Sequence, residues 1–562
     1  MNEFVFHPGL ILVLGAFLLP FLKGGARSAA ILALPLVALF CLWRLPEGTL
    51  WSAHWLGYEL APLAVDRLSR LFATIFLLMA LGGGLFALGQ RSRLEIPAAF
   101  VYAGAAVGVT LAGDLVTVFV FWELMAVGST LVLWAGGSAG AFAASRRYVA
   151  IHLLGGVILF AGITGHLLDT GDAAFTRMAP DSVAHWLILI GFLINAGAPP
   201  LSAWLPDAYP EASWSGSVFL SAFTTKTAVY VLLRGFPGTE FLIWIGLFMI
   251  FYGIVYALLE NDMRRILAYS IVNQVGFMIA GIGIGTEMAL NGAAAHAFSH
   301  IVYKALLLMS AGAVLAATGR RKCSELGGLF HSMPITTICG TIGALAISSF
   351  PLTSGFISKS MVTQAAIDGQ LLWVWLALAA ASAGVFLHAG IKFPWFVFFQ
   401  KDSGLRPADP PASMRWAMIA FSFICIGLGV WPEPLYALLP YAVDYVPYTG
   451  AHVLTQLQLL LFSGLAFFVM LPWLKRTLTI TLDADWLWRV ALDRLWNACG
   501  RLLRRVGDGV GDALREIGAA AAGDIERARR PGGLLLRSRP TGAMALWAMV
   551  LLFAYLLLYY LR

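Results

Sequence analysis

The stretch AAAHAFSHIVYKALLLMSAGAV, Ala293–Val314, places His296, His300 and Lys304 at four-residue spacing in an otherwise apolar segment. Four residues make slightly more than one turn of α-helix and climb about 6 Å, so the three side chains share one face over about 12 Å. The apolar flanks make the segment a candidate membrane span, crossing a hydrocarbon core about 30 Å thick. A charged side chain at the centre of such a span costs on the order of 2.5–3.5 kcal/mol on insertion scales. Three ionisable groups on one face therefore read as functional. The structural alternative keeps both histidines neutral in a packed core and lets Lys304 snorkel to an interface.

Composition points the same way. Of 562 residues, 60% are hydrophobic and 12% charged, with mean hydropathy +0.81, which excludes a soluble globular domain and predicts a polytopic membrane protein. The first apolar stretch, from about Leu10 to Leu22, follows an acidic rather than basic start and lacks a small-residue cleavage site. It reads as a retained span, not a signal peptide. Cys41, Cys323, Cys339, Cys425 and Cys499 are scattered with no CxxC pair, so no disulfide framework, zinc site or iron-sulfur site is expected. No metal, cofactor or catalytic residue is assigned to this chain, and any redox chemistry is placed in partners.

Apolar windows of helical length recur along the chain, and about sixteen spans are predicted. Fifteen lysines and arginines, among them Lys23, Arg91, Arg146, Arg264, Arg320 and Lys401, follow odd-numbered spans. Only Arg44, Arg67, Arg70, Arg177 and Arg234 follow even-numbered ones. By the positive-inside rule the N-terminus lies on the non-cytoplasmic side. The net charge of +7 thus reflects topology, and no nucleic-acid partner is implied.

Two spans are interrupted. One reads NAGAPPLSAWLPDAYPEASW, with Pro199 and Pro200 in the break, and the other SSFPLTSGFISKS, with Pro351. Their shared Pro-Leu-Ser/Thr and their offset of about five spans, which reverses orientation, point to an inverted repeat with a broken helix in each half. A break frees backbone groups that protein or water must satisfy, so each is expected to line a polar cavity, simple proline kinks being the alternative.

Further ionisable groups extend the axis. Glu123 lies about one-third into the fifth span, and Lys226 is mid-span among Ser221, Thr224 and Thr225. Lys359 follows the second break, and His388 sits in LALAAASAGVFLHAGIKF. Desolvation favours the neutral form of lysine and glutamate alike, which suits both to carrying protons. A static Glu123–Lys226 ion pair is the structural alternative, as is a packed core histidine for His388.

From Tyr102 to Phe399 these features resemble the antiporter-like subunits shared by Mrp-type cation/proton antiporters, respiratory complex I and membrane-bound hydrogenases. The landmarks are FWELM with Glu123, the WLPDAYPEA loop Trp204–Ala212, TK-x3-YxLLR with Lys226, and NDMRRILAYSIVNQVGFM from Asn261. The H-x3-H-x3-K set and FPLTSGFISK ending at Lys359 complete them. The resemblance implies about fourteen core helices in an all-α membrane fold, with two inverted five-helix repeats. Protons would move along Glu123, Lys226, His296, His300, Lys304 and Lys359, with Asn195, His388, Asp114 and Arg264 as auxiliary candidates. The organisation expected is N-terminal helices over 1–95, repeats over 96–236 and 237–400, core helices over 401–476, a cytoplasmic amphipathic segment over 477–541 and a terminal span over 542–562.

The chain also departs from the family. The lysine that the family carries nine positions before the tryptophan of the WLPDA loop is replaced here by Asn195, which cannot hold a proton charge, leaving its oxygen and Glu123 open to a hydrated cation. At the second break stands Lys359, where the D-type members of Mrp complexes and one of the complex I subunits more often have glutamate, so this position does not separate the members of the superfamily. Beyond the core, Trp488, Leu492, Leu495, Trp496, Cys499, Leu502, Leu503 and Val506 form one apolar stripe opposite arginines, as in a helix lying on the cytoplasmic interface. Gly507, Gly509, Gly511 and the Pro531-Gly532 pair predict that this segment is broken into shorter pieces.

The function expected is a proton-translocating subunit of a heteromeric Mrp-type antiporter in a bacterial cytoplasmic membrane, moving H⁺ and Na⁺ or K⁺ with other membrane subunits. One alternative is a pump subunit of a complex I-like oxidoreductase or membrane-bound hydrogenase, and another a scaffold docking a cytoplasmic partner for inorganic-carbon uptake. The predicted route runs from Lys226 through His300, His296 and Lys304 to Lys359.

Overall fold

The computed structural model describes residues 5–473, 483–530 and 540–560, in two compact units, Met1–Asp485 and Trp486–Arg562. The first unit opens with α1 (Pro8–Leu18) and α2 (Gly24–Arg44), then a hairpin of β1 (Gly48–Trp55) and β2 (Tyr58–Val65). There follow α3 (Arg67–Phe86), α4 (Glu95–Leu111), α5 (Leu115–Trp134), α6 (Ala139–Thr170) and α7 (Val183–Ala196), then the short α8 (Trp204–Ala208) and α9 (Gly216–Leu220). Next come α10 (Thr224–Gly235), α11 (Phe241–Leu259), α12 (Met263–Ile284), α13 (Glu287–Thr318), α14 (Pro334–Ile347) and α15 (Ser354–Asp368). The unit closes with α16 (Leu372–Val385), α17 (Ala412–Val430), α18 (Glu433–Tyr436) and α19 (Gly450–Met470).

Among the described residues, twelve helices are long and apolar enough to cross a membrane, and four shorter apolar ones join them. Burial sorts them. The most apolar windows of α9–α10 and of α12 are wholly buried, whereas those of α2 and α19 are 22% buried, so the centre of the unit is built around α10, α12 and α13. The all-α fold carries one antiparallel hairpin, whose Trp55↔Tyr58 closing pair brackets Leu56 and Gly57, both at positive φ. Two such residues form the turn whose twist matches paired strands.

One spacing recurs along the backbone. Helices α6 and α13 are each 32 residues long. One spacing of 148 positions separates Ala139 from Glu287, Thr170 from Thr318, and the N-capping residues Asp114 and Asp262 of α5 and α12. The same spacing separates the isolated antiparallel bridges Asp114↔Ala174 and Asp262↔Lys322.

Both expected breaks are present, and they close alike. After α7, Gly197 N–H donates to Ile194 O and Ala198 N–H to Leu193 O. After α14, Ser349 N–H donates to Ala346 O and Phe350 N–H to Leu345 O. This is the Schellman pattern, with its left-handed residue at Gly197 (φ +79) and at Ser349 (φ +58), and a proline two positions later, Pro199 or Pro351. A third break, absent from the sequence reading, separates α9 from α10 at Ser221–Phe223.

In the second unit, α20 (Asp493–Arg529) is one continuous helix of 37 residues, and α21 (Thr541–Tyr560) follows. Gly507, Gly509 and Gly511 therefore do not divide α20. Glycine lowers helix stability by about 1 kcal/mol relative to alanine yet adopts helical dihedrals freely, and the i,i+3 pairs Arg515–Asp512 and Arg527–Asp524 lie on its surface. Pro531 and Gly532 lie outside the described residues, as do the side chains of Trp488, Leu492, Leu495, Trp496, Leu503 and Val506. Of the predicted stripe, Cys499 and Leu502 are exposed.

Candidate functional site: a buried polar axis

His296, His300 and Lys304 of α13 are fully buried, and each is met by polar groups of α12 or α15 or left unpartnered. Lys304 Nζ donates to Ser270 Oγ at 2.9 Å and to Leu267 O at 3.4 Å. His296 Nε2 is 3.0 Å from Gln274 Oε1 and its Nδ1 3.0 Å from Ser358 Oγ. Tyr303 OH donates to the same Gln274 oxygen at 3.2 Å. Between them, His300 has no hydrogen-bond partner on either nitrogen, its ring 6.2 Å from that of His296. Buried polar atoms left unpaired are rare and point to bound water or function.

Two more lysines reach this row, and both sit at helix breaks. Lys226 lies in the first turn of α10 rather than mid-helix, because the chain breaks just before it. Its Nζ donates to Ser221 O at 2.7 Å, a carbonyl freed by the break, and to Thr225 Oγ1 at 3.1 Å. Helix α10 packs against α13. Lys359 Nζ donates to Ile347 O at 2.8 Å, at the end of α14, and lies 5.6 Å from the Phe277 ring. That ring is 5.7 Å from His296, and Ser358 bonds His296, so His296 is the histidine nearer Lys359. Along α13, His300 and His296 come between Lys304 and Lys359.

The first half is built differently. Glu123 lies near the middle of α5, deeper than one-third, and its Oε1 is buried without a partner. Among the described residues it forms no ion pair with Lys226. Asn195, one residue before the end of α7, instead holds a residue the sequence reading missed: its Oδ1 lies 2.8 Å from His152 Nδ1. His152 is fully buried on α6, its ring 4.0 Å from that of Tyr148. Tyr148 OH donates to Ser129 Oγ at 3.0 Å and lies 3.3 Å from Thr224 Oγ1, which is 2.6 Å from Tyr102 OH. A row of hydroxyls thus ends two residues from Lys226. The missed signal was the 148-residue spacing, which sets Tyr148, His152 and Gly156 against His296, His300 and Lys304.

The remaining candidates have structural work. Asp114 caps α5, accepting from Thr117 N and Thr117 Oγ1 at 2.7 Å each, and binds the hairpin through Ala61 N at 2.9 Å. Arg264 donates to Ala212 O at 2.9 Å and Ser213 O at 2.8 Å, fixing the end of the WLPDAYPEA loop. Arg147 clamps Asp207 of that loop bidentately, at 2.7 and 2.9 Å. His388 lies in a π-helical stretch, Phe386–Lys392, with Nδ1 2.9 Å from Gly384 O and Nε2 unpartnered.

Twelve long apolar helices, two interrupted spans and a buried row of lysines and histidines define a class: polytopic membrane proteins with ionisable groups inside the helix bundle. Comparison with known proteins makes the class specific. The sequence signature described as NADH:quinone oxidoreductase/Mrp antiporter, transmembrane, matches residues 112–385, and the chain belongs to this family. It is 27% identical over 472 residues to the D component of the Na(+)/H(+) antiporter of Alkalihalophilus pseudofirmus, covering 78% of this chain and 95% of that one. It is 31% identical over 362 residues to the M component of the F(420)H(2) dehydrogenase of Methanosarcina mazei, covering 59% and 72%. With the A/B component of a probable K(+)/H(+) antiporter of Rhizobium meliloti it shares 30% identity over 357 residues, 59% of this chain, and spans only 36% of that longer protein. In fold it matches a chain of an archaeal membrane-bound sulfane sulfur reductase with TM-score 0.71 at 23% identity, covering 98% of this chain and 99% of that one.

Proposed function

We propose that this chain is the proton-translocating core subunit of a multisubunit monovalent cation/proton antiporter of the Mrp type. The observation that carries the reading is the buried row Lys304, His300, His296, Lys359, joined by Lys226, inside a sequence that covers 95% of the D component of a Na(+)/H(+) antiporter. Protons reach the second half at Lys226 and pass by way of His300 and His296, with Lys304 and Lys359 at the two ends of the row. Water at the helix breaks bridges the gaps. Charge on one lysine disfavours charge on the next at low dielectric, so protonation advances stepwise. The 148-residue spacing and the matching Schellman breaks support two five-helix repeats of opposite orientation. The N-terminus is placed outside the cytoplasm, the membrane is a bacterial cytoplasmic membrane, and other membrane subunits complete the complex.

A second reading, a pump subunit of a redox complex, is favoured by the 31% identity to a dehydrogenase component. Isolation of the native complex in mild detergent separates them. Small multispan partners without flavin or iron support the antiporter, whereas flavin, iron-sulfur or nickel-bearing partners support the redox pump. Wild-type transport by a Lys304→Ala complex would defeat both and leave the scaffold reading.

A further inference from the structure

The first half holds an ionisable group that the axis described above does not use. His152 is buried to 1% exposure, as is Asn195. Donation of its Nδ1–H to Asn195 Oδ1 at 2.8 Å leaves the lone pair on Nε2, and Nε2 is buried without a partner. One helical turn further along the same face of α6 is Gly156. A Cβ there would lie 2.1 Å from Glu123 Oε1, and a Cβ on Gly155 would lie 3.8 Å from Asn195 Oδ1. Gly156 therefore makes room for the carboxylate beside one turn of helix, next to the imidazole, with the Asn195 amide at ordinary contact distance from Gly155. Glu123 Oε1 is the second buried, unpartnered atom of this group. The repeat gives an independent indication: His152 and His300 occupy the same position of two 32-residue helices, and where α13 carries Lys304, α6 carries the glycine that admits Glu123.

We propose that His152, positioned by Asn195, is the proton carrier of the first half and exchanges its proton with Glu123 across Gly156. The proton leaves imidazolium Nε2 for the Glu123 carboxylate, giving neutral histidine and carboxylic acid, and the reverse transfer resets the pair; no other bond changes. Tyr148, its ring tilted 41° against that of His152 and its hydroxyl linked through Thr224 to the first turn of α10, connects this pair with Lys226. Asn195 is a positioning residue, since it fixes which nitrogen is free. The inference rests on the transport reading above.

The test uses the native complex in everted membrane vesicles, with a pH-sensitive dye reporting collapse of an imposed proton gradient on adding NaCl or KCl. His152→Gln lowers the rate by about tenfold or more while all subunits still co-purify. Asn195→Lys on the His152→Gln background restores much of it, because an ammonium at position 195 returns a titratable group to the same place. Wild-type rates for His152→Gln, or a loss that Asn195→Lys leaves unrescued, overturn the proposal. If His152→Gln fails to assemble, Asn195→Leu decides: a tenfold loss supports the role of Asn195, and an unchanged rate overturns it. Lys304→Ala, run alongside, separates the two claims. Its failure to impair transport sinks the transport reading, whereas a Lys304→Ala loss beside an unaffected His152→Gln sinks only the role of His152.

Discussion

The ammonium of Lys226 donates to the carbonyl of Ser221 at 2.7 Å, an oxygen set free because the helix is interrupted between Leu220 and Thr224. Backbone dipoles and a hydroxyl, rather than a carboxylate, thus receive this lysine. Such a partner stabilises the charge without pinning it as a fixed ion pair would, so the group can release its proton. Lys226→Gln keeps a donor for Ser221 O but cannot carry charge. The expected outcome is a complex that assembles normally and transports at roughly a tenth of the wild-type rate or less, measured as cation-driven gradient collapse in vesicles. Normal transport by this variant would remove Lys226 from the route.

Lys304 and Ser270 form the corresponding contact at the other lysine, 2.9 Å apart and fully buried. Ser270→Ala removes the hydroxyl and leaves Leu267 O at 3.4 Å as the remaining acceptor. Loss of a hydrogen bond to a charged group costs about 1.5–3 kcal/mol, here levied on the charged form alone. Transport by Ser270→Ala is therefore expected to fall below the wild-type rate with a displaced pH–rate profile, because Lys304 loses its nearer acceptor. A pH–rate profile that does not move would show that Ser270 merely packs.

Gly156 tests the crowding around Glu123. A methyl group there would stand 2.1 Å from Glu123 Oε1, so in Gly156→Ala the carboxylate must swing away. Overpacking of a well-filled site costs about 1–3 kcal/mol, and a lower melting temperature is expected together with reduced transport. Glycine-to-alanine within α20 should act oppositely. Around Gly509 nothing lies within 4 Å of an added Cβ, and helix propensity alone favours alanine by about 1 kcal/mol. Amide hydrogen exchange near residue 509 in the intact chain should slow by roughly fivefold, and no slowing would mean that the helix there is not formed in solution.

Why the axis was legible and its partners were not follows from where each signal resides. His296, His300 and Lys304 are four apart on one apolar helix, so periodicity alone aligns them. His152 stands by itself in YVAIHLLGGV, and only tertiary packing brings Asn195 and Glu123 to it. The break before Lys226 falls in SAFTT, without glycine or proline to announce it. Asp114 and Arg264 sit in conspicuous motifs, yet capping and loop carbonyls occupy both, a distinction that depends on the loop geometry around them. The hairpin between α2 and α3 was hidden inside an apolar window, where strand and helix periods are hard to separate.

The two Schellman turns invite a last experiment, because they differ in the residue that takes the left-handed position. Gly197 adopts φ +79 at no steric cost, while Ser349 holds φ +58, and left-handed backbone costs an L-residue roughly 1–2 kcal/mol. The Ser349 hydroxyl is also buried without a partner, which adds desolvation cost and no bond. Against these, glycine at 349 would lose more chain entropy on folding, about 0.5–1 kcal/mol. The balance favours Ser349→Gly by about 1 kcal/mol, and the apparent melting temperature of the purified complex should rise by a degree or more. The reverse change, Gly197→Ser, should lower it by a similar amount. Should Ser349→Gly instead melt earlier while transport falls, the hydroxyl has a role in solution, as a ligand for water in the second break, next to Lys359. That outcome would move Ser349 from the turn into the conducting path. Unchanged transport with a higher melting point would assign it to backbone geometry alone.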